Sequence, residues 1–190
     1  MSKFTTERIY DRITCVTVST IGVNSNLLVR RRNAMHISTK CSVAIHCLIF
    51  IYEYGESQKV TSKLLSLSTG TNPVTIRNII SSLKKDGVIS VKFGTGGATL
   101  ICPPNEITIY RICKAIEPDF ISKLIGVHPL PSPLCPIGTN IHNVLDFSYQ
   151  KIRNDLCGSL KSITLEDITS DYHYIQQKNE MKLSDTNTNP

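Results

Sequence analysis

A chain of 190 residues, 41% hydrophobic and 19% charged with no Trp, holds about one domain's worth of core and falls outside the compositions of disordered and membrane-embedded proteins. Its formal charge of +6 favours an anionic partner. The charge is also local: between Lys59 and Phe93 stand Lys59, Lys63, Arg77, Lys84, Lys85 and Lys92 against the single acid Asp86. A solvated face carries such a run as readily as a nucleic-acid site does, so charge by itself does not choose between them.

The first 34 residues form a basic N-terminal extension, with Arg30, Arg31 and Arg32 in a row, and show neither a clear period nor caps. Polar side chains break up Ile13 to Val29, so no secretory leader is expected and a cytoplasmic location is. The first secure helix is expected over 38 to 54. Ser38 caps it, Gly55 stops it, and the interior from Val43 to Tyr52 is apolar on nearly all sides, as a core helix requires. That run contains His46 and is about half the length that spans a bilayer, so no membrane contact is expected.

Thr61 caps a short second helix, Ser62 to Ser68, expected to turn Leu64, Leu65 and Leu67 inward before a turn at Thr69, Gly70 and Thr71. Asn72 followed by Pro73 opens a third helix, because Asn caps the free amides and the fixed backbone of proline suits the first helical position. Ile76, Ile79, Ile80 and Leu83 recur at helical spacing and Gly87 ends the run. The face left free holds Val74, Thr75, Arg77, Asn78, Ser81, Lys84 and Lys85.

Ile89, Val91 and Phe93 then alternate with Ser90 and Lys92, and after Gly94, Thr95, Gly96 and Gly97 a second strand runs from Ala98 to Ile101, which makes a hairpin with a glycine tip. Two short helices joined by a tight turn and followed by a basic hairpin compose a winged helix-turn-helix, whose third helix lies in the major groove while the hairpin touches the flanking backbone. A nucleotide-binding reading of the glycines fails for want of a strand-to-helix crossover and a following lysine.

Beyond Pro103 and Pro104, Thr108 caps a helix marked by Ile109, Ile112, Cys113 and Ile116 and ended by Pro118. A stiff connector follows, with Pro129, Pro131, Pro133 and Pro136 around Cys135. From Asn140 a longer helix carries Ile141, Leu145, Ser148, Ile152 and Leu156 at close to heptad spacing, the pattern of a helix packed along a partner helix. Thr164 and Asp167 resemble a capping box that opens a last amphipathic helix with Leu165, Ile168, Tyr172 and Ile175. Residues 179–190 are expected to be a disordered tail. The fold class is therefore mostly α with a small β wing, a winged helix-turn-helix plus a long C-terminal dimerisation helix. Residues 35–104 form the DNA-binding domain, and residues 105–178 form the connector and helical dimerisation region.

The seven cysteines form no CxxC pair and are odd in number, which argues against a disulfide framework or zinc knuckle and for a reducing compartment. Cys41, Cys47, Cys102 and Cys157 fall beside apolar positions and read as small hydrophobes, and burial is expected to leave Cys113 protonated and slow to react. Cys135 differs, because a helix N-terminus following it favours thiolate; the readings are a thiol sensor or a packed structural thiol. His36 and His46 read as structural. No nucleophile and base stand together, so no enzymatic activity is expected.

The stretch "NPVTIRNIISSLKKDGVI", the wing "GTGGATL", the continuation "PPNEITIYRICKAIEP" and the segment "CPIGTNIHNVLD" resemble the Rrf2 family of bacterial transcription regulators, in its YwnA-like branch, over about Met35 to Leu156. The resemblance implies a homodimer whose two winged helices read a palindromic operator on double-stranded DNA, with a long helix from each subunit crossing its partner. Better-known relatives hold an iron–sulfur cluster through three closely spaced cysteines; here Glu117 to Asn140 contains only Cys135. One thiolate with His128 cannot supply that ligand set, and no cofactor is expected. Met1 to Ala34 lies outside the family pattern, either as a basic arm or because translation starts at Met35.

With DNA as the expected partner, Thr75 and Arg77 are the choices for base edges, flanked by Val74 and Asn78. Arg pairs bidentately with guanine, while Thr offers a hydroxyl to a base and a methyl group to thymine. Asn72, together with Ser38, Thr39 and Lys40 at a helix N-terminus, is assigned to phosphate. Lys92, Thr95, Gly96 and Gly97 are the wing contacts. The expected function is a repressor acting as a homodimer and released by thiol modification at Cys135. The alternatives are control by a metabolite or partner protein with Cys135 inert, and a winged helix kept for protein contacts only.

Overall fold

The computed structural model describes residues 37–92 and 97–186, and the backbone alone over 182–186. The readings made for residues 1–36, for Phe93, Gly94, Thr95 and Gly96 and for 187–190 lie outside the described residues. In chain order the elements are α1 (Thr39–Tyr54), α2 (Ser62–Thr69), α3 (Pro73–Lys85), β1 (Ile89–Val91), β2 (Ala98–Leu100), a single 3-10 turn (Pro104–Glu106), α4 (Ile109–Ile116), α5 (Phe120–Leu124), α6 (Pro136–Ser162) and α7 (Leu165–Thr186). This is the expected class, mostly α with one small antiparallel hairpin.

The caps read from the sequence are made. Ser38 accepts from Lys40 N at 3.3 Å, Thr61 from Leu64 N at 3.2 Å, Asn72 from Val74 N at 2.8 Å and Thr108 from Arg111 N at 3.2 Å. Each satisfies an amide that the first helical turn leaves without a partner and is worth about 1 kcal/mol. Gly87, after α3, takes φ 76°. In that left-handed region a Cβ meets the following carbonyl, so glycine is the residue that turns the chain into β1.

The main core forms around α1. Ala44, Cys47, Leu48 and Ile51 pack against Val60, Leu65, the α3 stripe Ile76, Ile79 and Leu83, the strand residues Ile89 and Ala98, and Ile107, Ile112 and Leu165, all buried. A second cluster joins Cys41 of α1 and Cys113 of α4 to Phe120 and Leu124 of α5 and Leu160 of α6. The register of the hairpin is Ile89 to Leu100, Ser90 to Thr99 and Val91 to Ala98.

The C-terminal helices are tied back to the head by main chain. Ile109 N donates to Ile163 O at 2.9 Å and Leu165 N to Ile107 O at 2.7 Å, around a bridge between Thr108 and Thr164. The capping box forms beside it, with Thr164 N donating to Asp167 Oδ2 at 2.8 Å and Asp167 N donating to Thr164 Oγ1 at 3.2 Å. Those bonds hold the Asp167 carboxyl below the usual carboxylate range.

Four details depart from the sequence reading. Leu67 is 73% exposed while Leu65 is fully buried, because two positions along a helix are about 200° of rotation apart and a short helix buries one line only. α5 was not foreseen, since Phe120 and Leu124 make a single turn with no period to read. α6 starts at Pro136 rather than Asn140, with Cys135 as extended N-cap and the proline in the first turn. α7 continues to Thr186 where a tail was expected from 179; Gln176, Gln177, Lys178, Glu180, Met181 and Lys182 are good helix formers.

Gly97 closes the hairpin against the chain before α2. Ala98 N donates to Val60 O at 3.0 Å, and a Cβ on Gly97 would sit 2.6 Å from Val60 N and 2.8 Å from Val60 O. Both are main-chain atoms without room to move. Gly97→Ala should therefore cost about 1–3 kcal/mol by forcing the two strands of backbone apart. Urea denaturation should show a lower midpoint at constant slope, and an unchanged midpoint would mean that the base of the wing relaxes freely.

Candidate nucleic-acid interface

Burial of Ile76, Ile79 and Leu83 at 2% exposure or less fixes the rotation of α3, and the opposite face follows from it. Asn72, Val74, Arg77, Asn78, Ser81, Lys84 and Lys85 are exposed and Thr75 is half-buried. Val74, at 55%, is an apolar side chain held in water at the start of a helix, which suits a methyl contact more than a core position. Asn72 spends its side-chain oxygen on the cap and keeps its amide NH₂ for an acceptor.

At the start of α1, Thr39 and Lys40 are exposed, and the Ser38 hydroxyl accepts from Lys40 N. In the wing, Lys92 is exposed and its N donates to Gly97 O at 3.2 Å. Gly97 itself packs on Val60 at the foot of the hairpin, so its glycine character serves the fold. The structure thus puts Val74, Thr75, Arg77 and Asn78 on one helix, and Ser38, Thr39 and Lys40 on another.

The one acid of the basic stretch is neutralised from α4. Arg111 Nε donates to Asp86 Oδ2 at 2.7 Å and its NH2 group donates to the Asp86 carbonyl at 3.0 Å, which raises the guanidinium pKa further. The pairing follows α3 immediately, after Lys84 and Lys85 in its last turn, where basic residues also complement the helix dipole. Arg111 therefore offsets the one acid between Lys59 and Phe93. Sequence reading missed Arg111, because nothing local marks a partner 25 residues away.

Sequence reading also missed the full extent of the apolar surface on α6. Ile137, Val144 and Phe147 are exposed at 66% or more, beside Ile152 and the half-buried Ile141 and Leu145. Only the far end of the helix, Leu156 and Leu160, reaches the core. The heptad signal located the helix but named part of the stripe.

The thiols divide by environment. Burial pushes Cys47 up to about 12. Cys102 donates to Gly87 O at 3.1 Å beside the Arg111 guanidinium. Cys135 is half-exposed at the N-cap of α6. Cys113 is buried as expected, and a hydrogen bond from the Cys41 thiol lowers its pKa against the opposing effect of burial.

A helix, a tight turn, a second helix with an outward polar face and a hairpin on one core define a winged helix-turn-helix DNA-binding protein. Residues 37–171 match the family model described as "Rrf2: Iron-dependent Transcriptional regulator". The chain is also 33% identical over 132 residues to YwnA of Bacillus subtilis, named as an HTH-type transcriptional regulator, covering 70% of this chain and 96% of that protein. It belongs to the Rrf2 family of transcription regulators.

Among solved structures it is similar to a transcriptional regulator from Lactobacillus plantarum, with TM-score 0.59 and 25% identity over 75% of this chain and 97% of that one. The B. subtilis cysteine regulator CymR shares the fold, with TM-score 0.53 and 23% identity over 71% and 96% of the two chains. The iron of the family description finds no matching donor set. Among the described residues no three His, Cys, Asp or Glu side chains converge, and His128 packs its ring against His142 at 5.6 Å. Cys135 alone cannot supply the set of thiolates that a cluster needs. Among the described residues, too, no helix is long and apolar enough to cross a membrane.

Proposed function

We propose that two copies of the chain bind a palindromic operator and repress transcription by occupying a promoter, with residues 35–104 as the reading head and 105–178 as the dimerisation region. The outward polar face of α3 carries this reading. Arg77 pairs with guanine, Thr75 and Val74 meet a base edge and a thymine methyl, and Asn78 extends the same face. Asn72, Ser38, Thr39 and Lys40 hold phosphates, and Lys92, Thr95 and Gly96 lie along the flanking backbone. Gly97 takes part by shaping the wing.

The apolar stripe of α6 supports the homodimer. A 27-residue helix is about 40 Å long, and side chains such as Phe147 at 82% exposure and Ile137 at 72% are costly to leave in water on one face. A second α6 crossing the first covers them and sets the spacing of two reading heads. Cys135, at the mouth of that helix, is the thiol whose modification changes the spacing and releases DNA, since a few ångströms break simultaneous docking in successive grooves. The cytosol is the compartment that fits such a regulator.

Arg77→Ala should weaken specific binding by about 1–3 kcal/mol and relax preference at one operator position, whereas Lys92→Ala should weaken all duplexes alike. Binding-site selection with each variant separates the two, and an unchanged preference in Arg77→Ala would move the reading face elsewhere.

Val144→Glu with Phe147→Glu should leave the fold intact, because both side chains already face water, and should convert a dimer to a monomer in sedimentation with a sharp fall in operator affinity. A doubly substituted chain that still sediments as a dimer would place the interface off α6.

A quinone, which adds to an accessible thiol, should release DNA from the wild type and not from Cys135→Ser in an anisotropy titration. Equal release from both would remove Cys135 from the control of DNA binding.

A further inference from the structure

Away from the reading head, the connector 125–135 folds back on the first half of α6 and bounds an open cleft of about 300 Å³, lined by Val127, His142, Asn143, Asp146, Tyr149 and Arg153. Two contacts seat the connector there. His142 Nε2 donates to the His128 carbonyl at 2.9 Å, with the two rings edge to face at 5.6 Å. Gly138 lies so close to Ser132 that a Cβ would stand 2.5 Å from the Ser132 carbonyl oxygen. His142, Asp146, Tyr149 and Arg153 share one face of α6, turned about 130° from the apolar stripe of Ile137, Ile141, Val144 and Ile152. A second α6 laid on that stripe leaves the cleft open.

The charges in the cleft are arranged unlike an ordinary solvated helix pair, whose members stand three or four residues apart. Arg153 reaches back seven residues to place its NH2 nitrogen 3.5 Å from Asp146 Oδ1, and the same nitrogen donates to Gln150 Oε1 at 3.1 Å. The Arg153 side chain is 20% exposed and that of Asp146 is 77% exposed, so the cation lies inside and the acid at the rim. A separation of 3.5 Å is beyond a good hydrogen bond, and both contacts are made by one of the three guanidinium nitrogens. The Tyr149 hydroxyl and the Asn143 amide line the same space, and Val127 gives it an apolar wall.

We propose that this cleft binds a free α-amino acid, with its carboxylate on the Arg153 guanidinium and its ammonium on Asp146, and that occupancy changes the affinity for DNA. A simple carboxylate would have to displace Asp146 and leave that charge unpaired, and a simple amine would do the same to Arg153. A zwitterion inserted between the two pairs both, and exchanges one long contact for two charge-assisted bonds. Tyr149 and Asn143 supply further polar contacts, and Val127 meets the ligand side chain. The volume is at the low end for small-molecule sites, which suits an amino acid and is too small for a nucleotide. The connector joins α5, seated in the second core cluster, to α6, so a ligand between Val127 and α6 bears on the junction of head and dimer helix. The effect on DNA rests on the proposed function, while the binding does not.

The test adds the standard amino acids singly, at millimolar concentration, to the full chain and reads its thermal denaturation, then measures the dissociation constant of the most stabilising one by calorimetry. At least one should raise the midpoint, and the same molecule lacking its amino group or its carboxyl group should bind about tenfold more weakly or worse. No shift with any amino acid overturns the proposal, as does a deaminated analogue that binds as well as its parent. Asp146→Asn and Arg153→Gln should each weaken binding by about tenfold or more, whereas Lys151→Gln, on the same helix outside the cleft, should not. If Arg153→Gln does not fold, Asp146→Asn decides, since its side chain already faces water; undiminished binding there overturns the site. Affinity for a duplex selected on chain free of amino acids should change several-fold when the bound amino acid is added, and should not change in Asp146→Asn. Binding without that change overturns the coupling, and failure to select any duplex overturns the DNA reading while leaving the amino-acid site standing.

Discussion

Ile76, Ile79 and Leu83 lock α3 into the main core, and this one packing constraint decides what the rest of the head can present. Each is worth about 1.5–3 kcal/mol in burial, so a rotation of α3 that brought them into water would cost of order 5 kcal/mol, comparable to the whole stability of many domains. Because a helix has only 3.6 residues per turn, fixing that stripe also fixes where Val74, Thr75, Arg77 and Asn78 point. The outward side chains are exchangeable without disturbing the core, so an operator preference can change while the fold persists. The hairpin depends on the same constraint, since Gly87 turns the chain from the end of α3 into β1 and Ile89 enters the core beside Leu83.

Charge is organised around this packing rather than within it. The Asp86–Arg111 pair has both side chains about one-third exposed, and a pair of that kind contributes roughly 0–1 kcal/mol. Its larger consequence is electrostatic: the guanidinium removes the one negative charge between Lys59 and Phe93 and braces the end of α3 against α4. A net basic field attracts phosphate over a Debye length of about 8 Å.

The main-chain bonds between 107–109 and 163–165 have a different role. They return the chain from α6 to the start of α4 and close the core with Leu165, while Leu156 and Leu160 seat the end of α6 against α4 and α5. The rest of α6 therefore extends from an anchored base. A helix held at one end transmits its direction to the head, so a second copy covering the apolar stripe, as proposed, would set how two heads are spaced.

The order of elements, the caps at Ser38, Thr61, Asn72 and Thr108, the buried stripe of α3 and the outward face opposite it were all legible in the sequence, because each rests on interactions within one or two turns. Periodicity found α6 too, and the Thr164–Asp167 box found the start of α7. What local pattern does not carry was missed: the single turn of α5, the outward position of Leu67, the proline start of α6 and the continuation of α7. Three arrangements were decided by tertiary structure alone, namely Gly97 against Val60, Arg111 on Asp86 and Cys41 on Cys113. The physical reason is common to them. Each joins groups separated by 25 residues or more along the chain, and whether such groups meet depends on how helices cross around a shared core, which no spacing of residues along one helix encodes.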